Sequence, residues 1–261
     1  MNKHLIAIKI GGGLITDKTK PFTAQQQYID LFARELRALR DVYPNLAVLV
    51  GNGAGSFGHF SAHEYGLREG AQTARQRYGV ALTHNGVRRL NGLVSDTLVR
   101  YDIPAFALSP AGTMLHQTDA VGALFTQPVE HLLQHGYVPV VHGDTILDAS
   151  RGTKIFSTER VLQTYLEVLR ESYQHITVAY LTTTDGVLDD QGQRIPELRA
   201  DAVVTVHTAL THDVTGGIEG KVSSARAAAA LADEVYIISG KMPGQLQKLV
   251  DGTGAGTRIM P

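Results

Sequence analysis

The chain has 261 residues, and its 24 basic and 25 acidic residues leave a formal net charge of −1. That balance gives no general attraction to nucleic acid or to an anionic membrane, so any bound anion must be held by a local site. Cysteine is absent, which excludes disulfides and thiolate metal sites, and no stretch approaches the ~20 apolar residues of a membrane-spanning helix.

Short apolar runs alternate with amphipathic stretches along the chain. The first strand is predicted at residues 5–10, and Thr23 is predicted to cap a helix whose apolar residues recur at helical spacing up to Leu39. Further strands are predicted at residues 46–50, 103–108, 138–141, 176–182 and 235–238, and further helices at 75–100, 128–135 and 223–233. Strands separated by helices indicate an α/β fold with a mainly parallel sheet covered on both faces, and we expect one domain over residues 1–261.

In such sheets ligands bind beyond the carboxyl ends of the strands, and polar or glycine-rich segments stand at several of those ends. The first segment has Lys9 in the strand, Gly11, Gly12 and Gly13 after it, and then Lys18. Glycine amides can approach a phosphate closely, and lysine adds a compact positive charge. A tight turn with a surface lysine would give the same pattern, and the spacing is not that of a Walker A loop.

The second segment has four glycines within residues 51–58 and is closed by His59. So many glycines after an apolar strand predict a run of unhindered amides that can pair with phosphate oxygens. A lone histidine is more often a surface or core residue than a catalyst, but at the mouth of such a loop an imidazole can donate to an anionic phosphate. We therefore favour a functional role for His59.

Three more segments carry weaker signals. Asp144 follows a strand and Gly143, and it could orient a lysine, hold a metal-bound water or cap the next turn. Asp185 stands in an Asp-Gly dipeptide at another strand end, which is also the commonest turn sequence. Lys221 ends a glycine-rich segment at a predicted helix N-terminus, where the dipole and the charge favour an anion. Lysines and amides around one cleft are what phosphoryl transfer requires.

Together, these segments resemble the amino acid kinase superfamily, whose members transfer the γ-phosphoryl group of ATP to a carboxylate, carbamate or phosphate acceptor. The resemblance spans nearly the whole chain and rests on residues 9–18, 51–59, 143–144, 184–187, 213–221 and 256–259, in this order. It implies the three-layer αβα sandwich of that superfamily, with an approximate acceptor lobe at residues 1–175 and a nucleotide lobe at 176–261.

Within the superfamily the chain is most similar to the isopentenyl phosphate kinases. This resemblance is carried by residues 53–59 with 63–67, by residues 78–85 with Leu90 and Asn91, and by residues 213–217. It implies ATP-dependent phosphorylation of isopentenyl phosphate to the diphosphate. The alternative is a kinase of the same fold acting on fosfomycin or another small phosphonate, carbamate or acyl acceptor.

The resemblance also implies roles for individual residues. Lys9 and Lys18 would stabilise charge on the transferring group, His59 would bind the acceptor phosphate, and Asp144 would orient the lysines. The acceptor would contact Ala54, Gly58, His59, Ala81 and Gly143. The nucleotide would contact Lys9, Gly11, Gly12, Gly55, Asp185, Gly217 and Lys221. An apolar pocket for the acceptor tail is predicted from Tyr78, Val80, Ala81, Met114 and Leu115, which would otherwise be core residues.

The partners implied by the resemblance are ATP with Mg²⁺, the small-molecule acceptor and a second copy of the chain in a cytoplasmic homodimer. No dedicated metal site in the protein, no nucleic acid and no membrane partner are expected. Two positions depart from the family pattern: Gly13 stands where relatives usually have serine, and residues 156–160 stand where they carry a Ser-Gly-Asp type stretch. Glu159 is the candidate to replace the shorter carboxylate there.

Overall fold

A computed structural model describes residues 4–117, 120–199 and 217–260 of the chain. The strands are β1 (His4–Ile10), β2 (Ala47–Asn52), β3 (Ala105–Ala107), β4 (Met114–Gln117), β5 (Ala120–Leu124), β6 (Val138–His142), β7 (Asp144–Asp148), β8 (Gly152–Phe156), β9 (His175–Thr182), β10 (Glu197–Arg199), β11 (Glu234–Ser239) and β12 (Thr257–Met260). The helices are α1 (Gly12–Ile15), α2 (Gln26–Val42), α3 (His59–Glu64), α4 (Ala74–Arg100), α5 (Gln127–Gln134), α6 (Thr158–Leu169), α7 (Gly217–Ala229) and α8 (Gln245–Val250).

The main sheet has the strand order β10-β12-β11-β9-β1-β2-β6-β3 and is parallel except where β11 pairs with β12. Strand β1 lies inside the sheet and pairs with β2 on one side and with β9 on the other. Residues from both predicted lobes therefore share one continuous sheet.

Helices cover both faces of this sheet, and the residues of β1 alternate between them. Ile6 and Ile8 belong to an apolar cluster with residues of α2, α4 and α8, whereas Leu5 and Ala7 belong to a second cluster with residues of α5, α6 and α7. Successive side chains of a strand point to opposite faces, so a strand buried on both faces needs a continuous apolar run. Residues 5–8 satisfy that requirement.

A second sheet, with the order β5-β4-β7-β8, was not predicted from the sequence. Its buried residues Met114, Ile146 and Phe156 join the second cluster, and Met114 is therefore a core residue rather than part of a ligand pocket. Two predicted boundaries are also corrected. Helix α2 begins at Gln26, three residues after Thr23, and the predicted helix 223–233 is α7, which begins at Gly217.

None of the helices within the described ranges has both the length and the apolar character that a membrane crossing requires. The predicted glycine-rich segment at residues 213–216 lies outside the described residues.

Candidate active site

The carboxyl ends of four neighbouring strands line up at one edge of the main sheet. In the strand pairings Ile10 lies opposite both Asn52 of β2 and Leu181 of β9, and Asn52 lies opposite His142 of β6. The glycine-rich loops after β1 and β2 and the segment Gly143–Asp144 therefore emerge side by side. This is the edge of the sheet at which the sequence predicts the ligand.

Lys9 forms an ion pair with Glu159, with 2.6 Å between Nζ and Oε1. Glu159 lies in the first turn of α6, which Ser157 caps by accepting a hydrogen bond from the amide of Arg160. Burial alone would raise the pKa of Glu159, but the Lys9 ammonium and the hydrogen bonds to the carboxylate hold this pKa below its usual value. The Glu159 carboxylate is thus ionised, and its contact with Nζ fixes the Lys9 side chain at the strand edge.

This contact corrects the expectation that Asp144 orients Lys9. The carboxylate in contact with Lys9 belongs to Glu159. Asp144 instead contacts Nδ1 of His84 with both carboxylate oxygens, at 2.9 and 3.0 Å, and accepts a hydrogen bond from Ser109 Oγ at 3.3 Å. The physical reason is the strand order, because Asp144 follows β6, two strands away from β1, while α6 packs across β6, β2 and β1 and so brings Glu159 to Lys9.

Thr158 fixes the start of α6 to the strand edge. Its hydroxyl donates to the carbonyl of Asn52 and accepts from the amide of Gly143, both at 2.8 Å. A Cβ at Gly143 would lie 2.9 Å from the amide nitrogen of Thr158, and a Cβ at Gly51 would lie 2.7 Å from its methyl carbon. These two glycines therefore let the helix that carries Glu159 approach β2 and β6.

The two glycine loops pack tightly against each other. A Cβ on Gly12 would lie 2.4 Å from the amide nitrogen of Gly55, and one on Gly53 would lie 2.5 Å from the amide nitrogen of Gly12. Several amides that the sequence suggested were available are used within the fold: Gly11 donates to Leu181 O, Gly53 to Ile10 O and Gly58 to Gly55 O. Among the described hydrogen bonds, none is donated by the backbone amides of Gly12, Gly13, Ala54 and Gly55.

Lys18 reaches back to the first glycine loop. A Cβ on Gly13 would lie 2.3 Å from Cε of Lys18 and 3.1 Å from its Nζ. Gly13 thus makes room for the end of the Lys18 side chain. The structure places Lys18 next to the loop after β1, at the same strand edge as Lys9.

His59 begins α3, directly after the second glycine loop, and is exposed. The preceding Gly58 lies against α4 and Ala54, since a Cβ there would come within 2.8 Å of Val87 Cγ1 and 2.9 Å of Ala54 Cβ. The loop from Ala54 to His59 is therefore held between the end of β2 and α4. Its predicted contacts with the acceptor stay predictions.

Of the residues predicted to contact the nucleotide, those in the C-terminal part of the chain are only partly described. Asp185 Oδ2 accepts from Arg194, while Asp185 Oδ1 is buried and has no partner among the described residues. Gly217 begins α7, which leads into β11, so the N-terminal end of α7 lies toward the carboxyl edge of the sheet. The side chain of Lys221 lies outside the described residues.

Among the described residues, the predicted apolar pocket does not form a closed cavity. Tyr78 is 63% exposed and its ring is tilted by 56° against that of Tyr65, Leu115 is 42% exposed, and Ala81 is exposed. A cavity of about 420 Å³ lies between α4 and the ends of β3 and β6, but polar groups line much of it, among them Asn85, Arg88, Arg89, Ser109 and His142. This cavity does not suit an apolar tail.

The contacts of two residues at this edge, Glu159 and His84, were not predicted from the sequence. The signal for Glu159 was present, since Ser157 followed by a helical apolar spacing marks a helix start and Glu159 is in its first turn. For His84 the sequence showed only its place in a motif. No local pattern predicts that a histidine on α4 contacts a carboxylate that is 60 residues away in sequence.

Comparison with known proteins gives consistent matches over the whole chain. A model described as the amino acid kinase family matches residues 4–239. The chain is 32% identical over 259 residues to the isopentenyl phosphate kinase of Haloferax volcanii and 30% identical over 269 residues to that of Methanothermobacter thermautotrophicus, with 98% of each chain covered in both cases.

Solved structures of isopentenyl phosphate kinases also superimpose on the chain. One has a TM-score of 0.78 at 25% identity and covers 98% of this chain and 100% of its own. The product complex of the T. acidophilum enzyme has a TM-score of 0.77 at 24% identity, with 98% and 99% covered. These superpositions confirm the predicted α/β fold.

Proposed function

This chain belongs to the amino acid kinase family, and from that membership we propose that it transfers the γ-phosphoryl group of ATP to isopentenyl phosphate. The products are isopentenyl diphosphate and ADP. Use of ATP follows from the family, and the acceptor is proposed because relatives named isopentenyl phosphate kinase align over nearly the full length of both chains.

One observation carries the proposal: the strand edge combines an ion-paired lysine with a glycine loop that ends in histidine. Lys9 is held there by Glu159, and the neighbouring strand β2 leads through residues 53–58 to His59. A lysine and an imidazole on adjacent strand ends suit a reaction in which two phosphate groups meet, because both side chains can neutralise or donate to phosphate oxygens.

In the proposed reaction, an ionised oxygen of the acceptor phosphate attacks the γ-phosphorus of ATP. The new P–O bond forms while the bond between the γ-phosphorus and the oxygen that leaves with ADP breaks, so no proton has to be removed by the protein. Lys9 and Lys18 reduce the charge on the transferring oxygens, and Glu159 keeps the ammonium of Lys9 in place through their 2.6 Å contact. His59 binds the acceptor phosphate.

The residues at the edge fit a nucleotide. The buried and unpartnered Oδ1 of Asp185 is an acceptor for a ligand hydroxyl or amine, and the amides of Gly12, Gly13 and Gly55 take no acceptor among the described residues. We propose that Mg²⁺ enters on the phosphates of ATP, where it neutralises their charge. A homodimer in the cytoplasm completes the proposal, and the absence of cysteine suits that compartment.

The proposal is tested by following ADP release with isopentenyl phosphate, fosfomycin, carbamate and a carboxylate as acceptors. We expect isopentenyl phosphate to be used best and His59→Ala to lower its turnover by about 10²-fold, because an oriented group that stabilises phosphate charge is lost. His135→Ala is the matched control, since His135 is exposed at the end of α5, near the opposite edge of the sheet.

Preferential use of fosfomycin or a carboxylate by the wild-type protein would reject isopentenyl phosphate as the acceptor. Near-normal turnover of His59→Ala would remove His59 from the mechanism, whatever the acceptor.

A further inference from the structure

His84 lies between two segments of the proposed acceptor site and has no part in the reaction described above. The residue before it, Thr83, donates a hydrogen bond to Ser61 of α3 at 2.8 Å, and one turn later Val87 packs against Gly58. Helix α4 therefore carries His84 alongside the loop that ends at His59. Its Nδ1 contacts both oxygens of Asp144, which follows Gly143 at the end of β6.

Asp144 is a fully buried carboxylate, and its partner His84 reaches solvent. Its side chain is 0% exposed, and it also accepts hydrogen bonds from the amide of Thr145 and from Ser109. His142 lies 3.8 Å away, but burial, the largest influence on this group, lowers the pKa of His142, so its ring stays neutral near pH 7. The side chain of His84 is 29% exposed.

The two nitrogens of the His84 ring have different surroundings. Nδ1 lies within hydrogen-bond distance of both carboxylate oxygens of Asp144 and donates to them when it carries the proton, whereas Nε2 has no partner in the described part of the chain. A buried carboxylate next to a site for a phosphate dianion repels that ligand unless a cation stands between them. An imidazolium at His84, protonated on both nitrogens, would be that cation.

We infer that His84 is a second imidazole of the acceptor site, which binds Asp144 through Nδ1–H and donates Nε2–H to the acceptor phosphate. Asp144 is then a positioning residue that fixes the ring and balances its charge. The inference rests on the proposed function, because it requires a phosphate or phosphonate acceptor at the end of β6.

Two substitutions at His84 separate the roles of the two nitrogens. In His84→Asn the amide nitrogen can take the place of Nδ1 and keep the contact with Asp144, but nothing replaces Nε2. In His84→Gln the amide nitrogen can take the place of Nε2. We expect His84→Asn to raise the KM for isopentenyl phosphate at least about tenfold, as for a lost hydrogen bond to a charged group, with the KM for ATP unchanged and partial recovery in His84→Gln.

The matched control is His116→Asn. His116 is also bonded through Nδ1 to an aspartate of β7, Asp148, but its side chain is 3% exposed. We expect both KM values of this variant to equal those of the wild type. An acceptor KM of His84→Asn equal to that of the wild type, or equal rises in the KM for ATP and acceptor, would overturn the inference.

The acceptor that the wild-type protein uses shows whether only the role of His84 is wrong or the proposed function as well. If the wild type turns over isopentenyl phosphate and His84→Asn does so equally well, only the role of His84 is wrong. If the wild type uses a carboxylate or carbamate instead, the proposed function and the inference are both wrong.

A measurement on the wild type covers the case in which the variants do not fold. With ¹⁵N-labelled histidine, the ring nitrogens of His84 are followed by NMR as isopentenyl phosphate is added without ATP. We expect the Nε2 signal of His84 to move to the position of a hydrogen-bonded imidazolium. No change in this signal at saturating isopentenyl phosphate would refute the inference.

Discussion

Strand β7 begins and ends with an aspartate, and each aspartate is paired with a histidine in very different surroundings. At one end Asp144 meets His84, whose ring is 29% exposed and has a nitrogen without a partner in the described chain. At the other end Asp148 meets His116 at 2.6 Å, and Lys154 contacts the second ring nitrogen at 3.3 Å.

The Asp148 end is a saturated internal network. Besides His116, Asp148 accepts hydrogen bonds from the amide and hydroxyl of Ser150 and from the amide of Arg151, so it organises the turn between β7 and β8. An Asp–His pair is therefore not by itself a sign of function. The two pairs differ in whether the imidazole has a ring nitrogen available to a ligand. Of these two pairs, His84–Asp144 has one and His116–Asp148 does not.

The largest expected effect is on stability at the saturated end. Replacing His116 by alanine removes a buried ring and leaves the Asp148 carboxylate with one partner fewer. We expect the free energy of unfolding to fall by about 3 kcal/mol, measured by urea denaturation, with unchanged KM values at 25 °C. A loss of activity without a loss of stability would mean that the two ends of β7 do not differ as described.

At the other end, the expected effect is on the acceptor. Asp144→Asn keeps the shape of the side chain but removes the negative charge beside Nδ1 of His84. We expect a rise of about tenfold in the KM for isopentenyl phosphate, with a smaller loss of stability than in His116→Ala. Steady-state kinetics and urea denaturation of the same preparation check this, and an unchanged acceptor KM would show that the charge of Asp144 is not used.

The smallest effect is on the acid side of the stability curve. Hydrogen bonds from the Ser150 side chain, and after them those from His116 and the amide of Arg151, outweigh the effect of burial and lower the pKa of Asp148 well below its usual value. A carboxyl with a lowered pKa in the folded state contributes stability that is complete above its unfolded pKa of about 4 and declines as the pH falls below it.

In Asp148→Asn we therefore expect a weaker decrease in the free energy of unfolding than in the wild type between about pH 4 and pH 2. Urea midpoints at several pH values measure it. Equal slopes in the two proteins would show that other carboxyl groups dominate acid unfolding.

The central strands were predictable because burial on both faces requires a continuous apolar run, and residues 5–8, 47–50 and 178–181 provide one. The second sheet escaped prediction because β4 and β7 are short and contain polar residues, among them His116, Asp144 and Asp148, whose partners are distant in sequence. Only the fold shows which of these polar groups are satisfied internally.

The candidate site was predictable in composition but not in pairing. The glycine loops, Lys9, Lys18 and His59 stand at strand ends that the sequence indicates. Whether Asp144 or Glu159 contacts Lys9 depends on the strand order and on the return of α6 over β1, which no local pattern encodes. Likewise, the sequence predicts these glycines as phosphate-binding positions, but at Gly12 and Gly53 the close approach of the two loops also requires glycine.

The position of β1 between β2 and β9 has a consequence for biosynthesis. His4 pairs with His175, so the strand that carries Lys9 leaves the ribosome long before one of its two neighbours has been made. Pairing across such a separation in sequence closes a large loop and is slow, and until then one edge of β1 stays open to other chains. Maturation of the lysine site is therefore a late event in folding, and nascent chains that end before residue 175 are the ones most in need of chaperone protection.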